Sequence, residues 1–196
     1  MTAASVNLIA RDGFLAALEI LQLIEVMEKQ NQGRINANLS DSDAARAGIV
    51  VRNSLVARIT LLVAGAFSPA RRDDKHLRRA FELLRDPTIR AAIEKDGSAQ
   101  VLQEAIDLWN KLNADPSLPM IKHFRDKFTA HSSKPDENIP IPNYNEFFSF
   151  AKKTAGLMEK LAHGVGGTTE TLEETADWRL SSAQAFWEPW ELLRKQ

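Results

Sequence analysis

The sequence predicts an all-α fold, an antiparallel bundle of helices, on three observations. Apolar residues recur at spacings of three and four along most of the 196-residue chain. No stretch shows the alternation of apolar and polar residues that is typical of strands. The apolar fraction of 44 % is sufficient to fill a hydrophobic core. We therefore expect two long N-terminal helices, shorter helices packed behind them and a helical C-terminal tail.

The two long helices are predicted over residues 6–30 and from a serine cap at 40 or 42 to residue 67. Gly33 and the polar stretch after it are expected to separate them. Pro69 ends the second helix, because proline disfavours helical geometry in the residue before it. The predicted inner faces are Ala10, Phe14, Ala17, Leu21, Ile24 and Met27 in the first helix, and Ala45, Ile49, Val56, Ile59 and Val63 in the second.

The shorter helices follow from the same periodicity and from the prolines and glycines between them. They are predicted over residues 75–84, 87–95, 99–113, from the prolines at 116 and 119 to 131, and 143–163. A glycine-rich stretch at 164–167 then divides the chain into a bundle, residues 1–167, and an acidic tail, residues 168–196. We expect the tail to form one or two helices and to pack on the bundle or on a partner through Trp178, Trp187 and Trp190.

Composition excludes several classes of site. The chain has no cysteine, which excludes disulfides, thiolate metal sites and a cysteine nucleophile. A net charge of -1 argues against a protein that coats nucleic acid over its whole surface, although a local basic patch remains compatible with it. The longest apolar run without charge, residues 59–70, is too short for a membrane span. We therefore expect a cytoplasmic protein that does not contact a membrane.

One segment carries chemical information, Met120-Ile-Lys-His-Phe-Arg-Asp-Lys-Phe-Thr-Ala-His131. Its helical spacing predicts a buried stripe of Ile121, Phe124 and Phe128, with the polar side chains projecting elsewhere. An arginine, a polar residue and a histidine after five intervening positions resemble the motif of HEPN domains. Arg125, Asp126 and His131 take these three places.

The resemblance extends over about residues 10–163 and is closest to the AbiU-type, abortive-infection branch of the HEPN family. In that branch a helix with a pattern like Arg52-Asn-Ser-Leu-Val-Ala-Arg58 precedes the motif helix. An Ala-His-Ser sequence then leads into a proline-bearing loop and a final long helix. The tail after residue 167 carries no part of this resemblance.

The resemblance implies metal-independent cleavage of RNA by the ribose 2′-hydroxyl, without a cofactor. In this interpretation His131 is the general acid or base, since an imidazole titrates near neutral pH. Arg125 stabilises the charge of the transition state, because a guanidinium can hold two phosphate oxygens at once. Asp126 orients one of these two side chains. Inactive members of the family bind nucleotides, RNA or proteins instead.

The spacing of the motif favours a site that is shared between two subunits. Six residues at about 100° each place Arg125 and His131 about 120° apart on an ideal α-helix, so a single motif gives a splayed site. Two motifs related by a two-fold axis would bring both pairs into one cleft, which agrees with the homodimer that the resemblance implies. Candidate RNA contacts in such a cleft are Lys122, Lys127, Arg52 and Asn53.

Plain structural roles compete with these assignments. His131 can be a histidine that the helix dipole favours at a helix C-terminus, and Asp126 can be a surface ion-pair partner. His123 is expected to be a partly buried structural residue, and Arg58 to pair with a carboxylate of the bundle. Glu159 and His163, four residues apart, lack a third metal ligand and fit a solvated face better. The basic stretch Arg71, Arg72, Lys75, Arg78, Arg79, Arg85 and Arg90 is either a solvated face or an RNA guide beside the cleft.

Two functions follow from the sequence. The first is a HEPN-type endoribonuclease that acts as a toxin or anti-phage effector and is held by an antitoxin, a nucleotidyltransferase-like protein in the systems that it resembles. The second is a non-catalytic helical module that binds a protein, a nucleotide or RNA, which the acidic, aromatic tail favours.

Overall fold

The computed structural model describes residues 2–69, 76–130, 134 and 136–192, and these ranges contain helices and no strand. The predicted all-α bundle is therefore confirmed. The helices are α1 (Ala3–Gln30), α2 (Gly33–Ser40), α3 (Ala45–Ala66), α4 (Leu77–Leu83), α5 (Pro87–Asp96), α6 (Ala99–Asn113), α7 (Ser117–Phe124), α8 (Tyr144–Gly164) and α9 (Ala176–Leu192), with a π-helix, Arg125–Ala130, after α7.

The stretch between the two long helices is the first departure from the predicted order of elements. Residues 33–40 form helix α2, where the sequence predicted a break after Gly33. The helix is stabilised from outside, because its apolar residues Ile35 and Leu39 are buried against Trp187 of the tail. Helix formation here depends on tertiary packing more than on the local sequence.

Helix α3 is long and apolar, but only its C-terminal half belongs to the core. Ile59 and Val63 are fully buried, as predicted, whereas Ile49 is exposed and was wrongly assigned to the inner face. Arg58 confirms the expected pairing with a carboxylate, since Nε and Nη2 donate to the two carboxylate oxygens of Glu19 at 2.6 and 2.9 Å. The helix thus leaves much of its apolar surface uncovered.

By length and composition alone, α3 would also be able to cross a membrane, and among the described helices it is the one that meets this criterion. The core helices of soluble proteins pass the same test, so it is weak evidence for a span. Only 28 % of its most apolar window is buried in the fold, so most of the apolar surface of α3 is not covered by the rest of the subunit.

The core beneath the C-terminal end of α3 is aromatic. Trp109 of α6 stacks between Phe67 and Phe81, with ring centroids 5.0 and 4.6 Å apart. Phe67 also packs on Phe150 of α8 at 5.6 Å. The sequence predicted this helix over residues 99–113 without identifying Trp109 as a core residue. This stack fixes the position of the residue after Phe67, which is Ser68.

The motif helix is not α-helical throughout. The predicted helix to residue 131 consists of α7, which ends at Phe124, and a π-helix over Arg125–Ala130. A π-helix closes its hydrogen bonds over five residues instead of four, so the angular spacing of an ideal α-helix does not apply to the motif. Single π-helical turns occur frequently at functional sites.

The C-terminal tail forms one helix, α9, that lies on α1 and α2. The indole Nε1 of Trp187 donates to the Val26 carbonyl at 2.8 Å, and the ring is buried. Arg179 is buried as well and pairs with Glu25 at 3.0 Å. Trp178, in contrast, is 66 % exposed on the outer face.

The segment that leads into α9 is held by α8. Glu159 accepts a hydrogen bond from the Leu172 N–H at 2.7 Å, and Nε2 of His163 lies 2.7 Å from the Glu170 carbonyl oxygen. Both side chains therefore have structural partners in the chain.

Candidate active site

The motif begins where α7 passes into the π-helix, and this junction packs against the C-terminal half of α3. Arg125 is the first residue of the π-helix and Asp126 is the second. The side chain of Arg125 is 23 % exposed, so its guanidinium lies at the surface but is partly withdrawn from water. A cation in this position is stabilised by whatever polar groups surround it.

Two residues hold the guanidinium of Arg125. Its Nε donates to Oδ1 of Asp126 at 2.7 Å, and its Nη2 lies 2.6 Å from the same oxygen. Its Nη1 donates to the hydroxyl of Ser68 at 2.5 Å. A guanidinium has five N–H groups. Those not used by these bonds make no other hydrogen bond within the described part of the chain.

Ser68 is positioned by the end of α3. Its hydroxyl donates to the Ala64 carbonyl at 2.8 Å and accepts from Arg125, and the residue is buried. Its neighbour Phe67 is locked in the aromatic stack. The core of the bundle therefore fixes the orientation of Arg125 through one hydroxyl group.

Asp126 acts on Arg125 and remains accessible. Its side chain is half exposed, and the contacts to Arg125 involve only Oδ1. The contact with Arg125 agrees with both roles that the sequence allowed for this carboxylate, a surface ion pair and the orientation of the arginine. A charge-assisted contact of this kind restricts the rotamers of a long side chain.

Two further cations lie near Arg125. Burial lowers the pKa of the Lys122 ammonium, and the positive charges of Arg78 and Arg125 lower it further, whereas Asp126 acts in the opposite direction. Arg78 comes from α4, and its buried Nε has no hydrogen-bond partner in the part of the chain that the structure describes. The cluster Arg78, Lys122 and Arg125 thus has more positive than negative charge, which favours binding of an anion.

The other predicted RNA contacts are more scattered. Lys127 lies on the π-helix close enough to Asp136 to help lower the pKa of that carboxyl group, after the larger effects of the Asn138 backbone and side chain. Arg52 is partly buried on α3, and within the described ranges its Nε has no hydrogen-bond partner. Asn53 is exposed beside it. The described contacts do not join Arg52 or Asn53 to the Arg125 cluster.

Of the two histidines in the motif segment, the structure describes only His123. His131, the predicted acid or base, lies outside the described residues. His123 is buried, as expected of a structural residue, and its Nε2 has no hydrogen-bond partner among the described residues. It lies close enough to Asp136 to help lower the pKa of that carboxyl group, as Lys127 of the motif does.

No group of three histidine, aspartate or glutamate side chains suited to a metal ion occurs among the described residues. The unused N–H groups of Arg125 and the cations beside it can offer a phosphate group hydrogen-bond donors and positive charge. This is the chemistry that an arginine of the motif would supply.

The sequence alone missed Ser68, left two alternatives open for Arg78 and misplaced Phe128. In the sequence Ser68 marks only the end of a helix, and no local pattern links it to Arg125, 57 positions later. Arg78 was one of seven cations in a basic stretch, and only the fold places it beside Lys122. Phe128 was predicted to be buried but is 44 % exposed. It lies on the π-helix, to which the α-helical spacing behind that prediction does not apply.

We predict that Ser68→Ala lowers the free energy of unfolding by about 1–2 kcal/mol, since it leaves a guanidinium N–H of Arg125 without its acceptor. Ser54→Ala is the matched control. Its hydroxyl also donates to a carbonyl one turn earlier in α3, at 2.9 Å, but it is exposed and holds no cation. Urea unfolding at fixed protein concentration measures both. Equal effects of the two substitutions would show that the Arg125 contact contributes nothing.

Comparison with known proteins adds a family to this geometry. The family model of AbiU2, a HEPN family, matches residues 7–185. The match begins near the expected start of the resemblance and continues past its expected end at residue 163 into α9. Searches of curated proteins and of solved structures return no significant match. Because the family model covers most of the chain, the chain belongs to the AbiU2 family of abortive-infection-related HEPN domains.

Proposed function

We propose that the protein is a metal-independent endoribonuclease of the HEPN type that acts as a toxin or anti-phage effector in the cytoplasm. The observation that carries the proposal is the guanidinium of Arg125, which Ser68 and Asp126 orient while part of its hydrogen-bonding capacity stays unused. A structural arginine would be expected to use its donors within the fold. An antitoxin of the nucleotidyltransferase-like class is part of the same proposal.

The chemistry proposed for the site is transesterification at phosphorus. The ribose 2′-oxygen forms a bond to phosphorus, its proton passes to a base, and the 5′-oxygen leaves with a proton from an acid. His131 residues of the two subunits supply the base and the acid. Arg125 neutralises the charge that develops on the non-bridging oxygens, and Asp126 keeps its guanidinium in place. No metal ion takes part in this scheme.

The cation cluster supports an anionic substrate. Positive charges that are close together and partly buried destabilise one another, and Asp126 is the one carboxylate that acts on Lys122 in the described residues. A phosphate group would relieve this repulsion and accept the hydrogen bonds that Arg78 and Arg125 leave unused. Neighbouring phosphates of an RNA strand fit a cluster of this kind better than a single carboxylate does.

The proposed site needs a second subunit, and α3 offers a surface for it. Val50, Asn53, Ala57 and Leu61 follow one another at spacings of three and four, so they share one stripe of the helix. Val50 and Leu61 are 64 % and 43 % exposed. An apolar helix face of this length is typical of a helix that packs on a partner. Asn53, which the sequence predicted as an RNA contact in the shared cleft, lies on this proposed interface stripe.

A non-catalytic binding module is the second candidate function, and one observation favours it. Helix α9 exposes Trp178 and Phe186, although Trp187 of the same helix is buried. Exposed aromatic side chains are common at protein interfaces. In this case the bundle would carry α9 to a protein partner, and the Arg125 cluster would bind RNA without cleaving it.

We predict that the purified protein cleaves single-stranded RNA in excess EDTA. His131→Ala and Arg125→Lys should each lower the rate at least about a hundredfold, because the first removes the proton-transfer group and the second removes the two-pronged phosphate contact. Arg11→Ala, on the exposed face of α1, is the matched control and should cleave normally. Equal rates in all four proteins would contradict the proposal. RNA binding without any cleavage would favour the binding module.

We predict opposite effects of Lys122→Met on stability and on RNA affinity. Because the folded-state pKa of Lys122 lies below its unfolded value, the folded protein binds fewer protons, and its stability increases as the pH rises through that range. Removing the charge should therefore stabilise the fold at neutral pH and abolish this pH dependence. RNA binding should weaken about fivefold or more, with the salt slope reduced by about one.

Lys134→Met is the control for Lys122→Met, since the side chains of Lys134 and of its ion-pair partner Glu137 are both 88 % exposed. Thermal unfolding across pH and fluorescence anisotropy with labelled RNA measure the two effects. A loss of stability in Lys122→Met, or unchanged RNA affinity, would contradict a role of the cluster in phosphate binding.

We predict that the protein is a dimer and that Leu61→Glu weakens self-association at least about tenfold, because a carboxylate would be buried in an apolar interface. Leu15→Glu provides the control, as Leu15 is an exposed leucine of α1. Sedimentation measures both. A wild-type monomer that binds lipid vesicles through α3 would contradict the proposed interface and assign this surface to a membrane.

A further inference from the structure

A concave pocket lies beside the motif and has no role in the proposed chemistry. Its volume is about 310 Å³, and its wall is formed by Val56 of α3, Phe124 of α7, the 141–143 segment and the first turn of α8. Phe147 forms the buried floor. This volume is at the lower end of the range for ligand pockets, about 300–1,000 Å³, so a single small group would fill it.

Aromatic rings line this pocket and stand at its mouth. Tyr144 is 47 % exposed and packs on Phe148 at 5.7 Å between ring centroids. Phe124 stacks on the exposed Phe128 at 5.3 Å with an interplanar angle of 28°. Faces of this kind are suited to stacking on another flat ring. The chain thus keeps two aromatic surfaces in contact with water at the site where the motif begins.

The pocket also has polar groups that are free to bind. Asn143 caps α8 with its Oδ1, which accepts from the Glu146 N–H at 3.0 Å. Its amide NH2 makes no hydrogen bond within the described part of the chain, and neither does the hydroxyl of Tyr144. Two donors of this kind at an aromatic cleft can bind the polar edge of a heterocycle.

Cations lie close along the chain to two of the pocket's lining residues, on α3 and on the π-helix that follows α7. Arg52 is one helical turn before Val56, and its buried Nε has no hydrogen-bond partner among the described residues. Lys127 follows Phe124 by three residues, and Arg125 follows it directly. An apolar, aromatic cavity between positive charges matches a ligand that combines a flat ring with negatively charged groups, as a nucleotide in a strand does.

A protein segment fits these observations less well. A stable protein interface buries about 800 Å² on each partner, whereas this cavity takes a single ring. The broad apolar face of the molecule is the α3 stripe, which is a different surface. The stacking faces, the two donors and the flanking cations all favour a nucleobase.

We propose that this pocket binds one unpaired base of the RNA strand and so selects where the strand lies relative to Arg125. The inference rests on the proposed function, because it takes RNA as the substrate. Tyr144 and Phe124 stack on the base, the amide of Asn143 donates to its edge, and the neighbouring phosphates lie near the flanking cations. The pocket thereby determines the base preference next to the cleaved bond.

The test uses a fluorescein-labelled single-stranded RNA of mixed sequence in which one abasic residue is placed at successive positions. Binding is measured by anisotropy in His131→Ala, which blocks cleavage. We expect one position at which loss of the base weakens binding about tenfold, the effect of a stacked base. In the double variant with Tyr144→Ala this penalty should disappear, because the base no longer has a stacking partner.

Two more variants keep the test independent of folding. Val56→Phe fills the pocket from α3 and should also remove the penalty, whereas Asn143→Ser retains the helix cap and should reduce the penalty in part. Phe186→Ala, an exposed aromatic of α9, is the matched control and should leave the penalty intact. Thermal unfolding checks that each variant is folded.

The outcomes separate the possibilities. An abasic penalty that is unchanged by both Tyr144→Ala and Val56→Phe would overturn the inference, as would uniform weakening at every position. Weaker self-association in Tyr144→Ala would assign the pocket to the subunit interface, and tighter binding of AMP or UMP than of RNA would assign it to a free nucleotide. A position-specific penalty in a protein that never cleaves RNA would support the base site and contradict the proposed nuclease.

Discussion

The contact between Arg125 and Ser68 is the constraint on which the site depends. It joins the first residue of the π-helix to Ser68, two residues after the end of α3 and 57 residues earlier in the chain, through a hydrogen bond of 2.5 Å. Ser68 in turn follows Phe67, whose ring is held by Trp109 and Phe150. A mobile arginine would lose conformational entropy on each binding event. Here the hydrophobic core already restricts the guanidinium. In the proposed function a phosphate group would therefore bind an arginine whose orientation is fixed beforehand.

The same region contains features that do not favour the stability of an isolated subunit. Arg78, Lys122 and Arg125 repel one another, α3 exposes apolar residues, and Phe128 and Tyr144 are in contact with water. Proteins retain such features where function requires them, and the rest of the fold compensates for their energy. All of them border the motif or the helix that packs on it. This grouping is what the proposed function would require, with RNA at the motif and a second subunit on α3.

The sequence predicted the helices well where local signals agree with the tertiary packing. The bounds of α6 match the prediction, because Ser98 caps the helix and its apolar residues recur on one face. The failures share a physical cause. Periodicity identifies an apolar face but not what covers it, so Ile49 and Phe128 were placed in the core. Helix α2 was missed because α9, at the other end of the chain, stabilises it.

In the candidate site, too, the sequence predicted what has a local signal and not what depends on tertiary packing. The motif residues were visible because their order and spacing resemble a known family, and the AbiU2 match confirms that family. Their partners were less visible. Ser68 belongs to no local pattern, and Arg78 was one cation of a basic stretch for which two roles stayed open. The position of each beside the motif results from the packing of the fold. The π-helix itself had no signal in the sequence, which predicted a continuous α-helix.

A subunit-mixing measurement tests most directly whether one chain supplies only half of the site. Wild-type and His131→Ala subunits are co-expressed in varied ratios with different tags, and RNA cleavage is measured per wild-type subunit in excess EDTA. If both subunits contribute an imidazole to one cleft, the rate per wild-type subunit must fall as the proportion of His131→Ala rises. A rate that follows the amount of wild-type protein alone would show that each subunit acts by itself and would contradict the shared site.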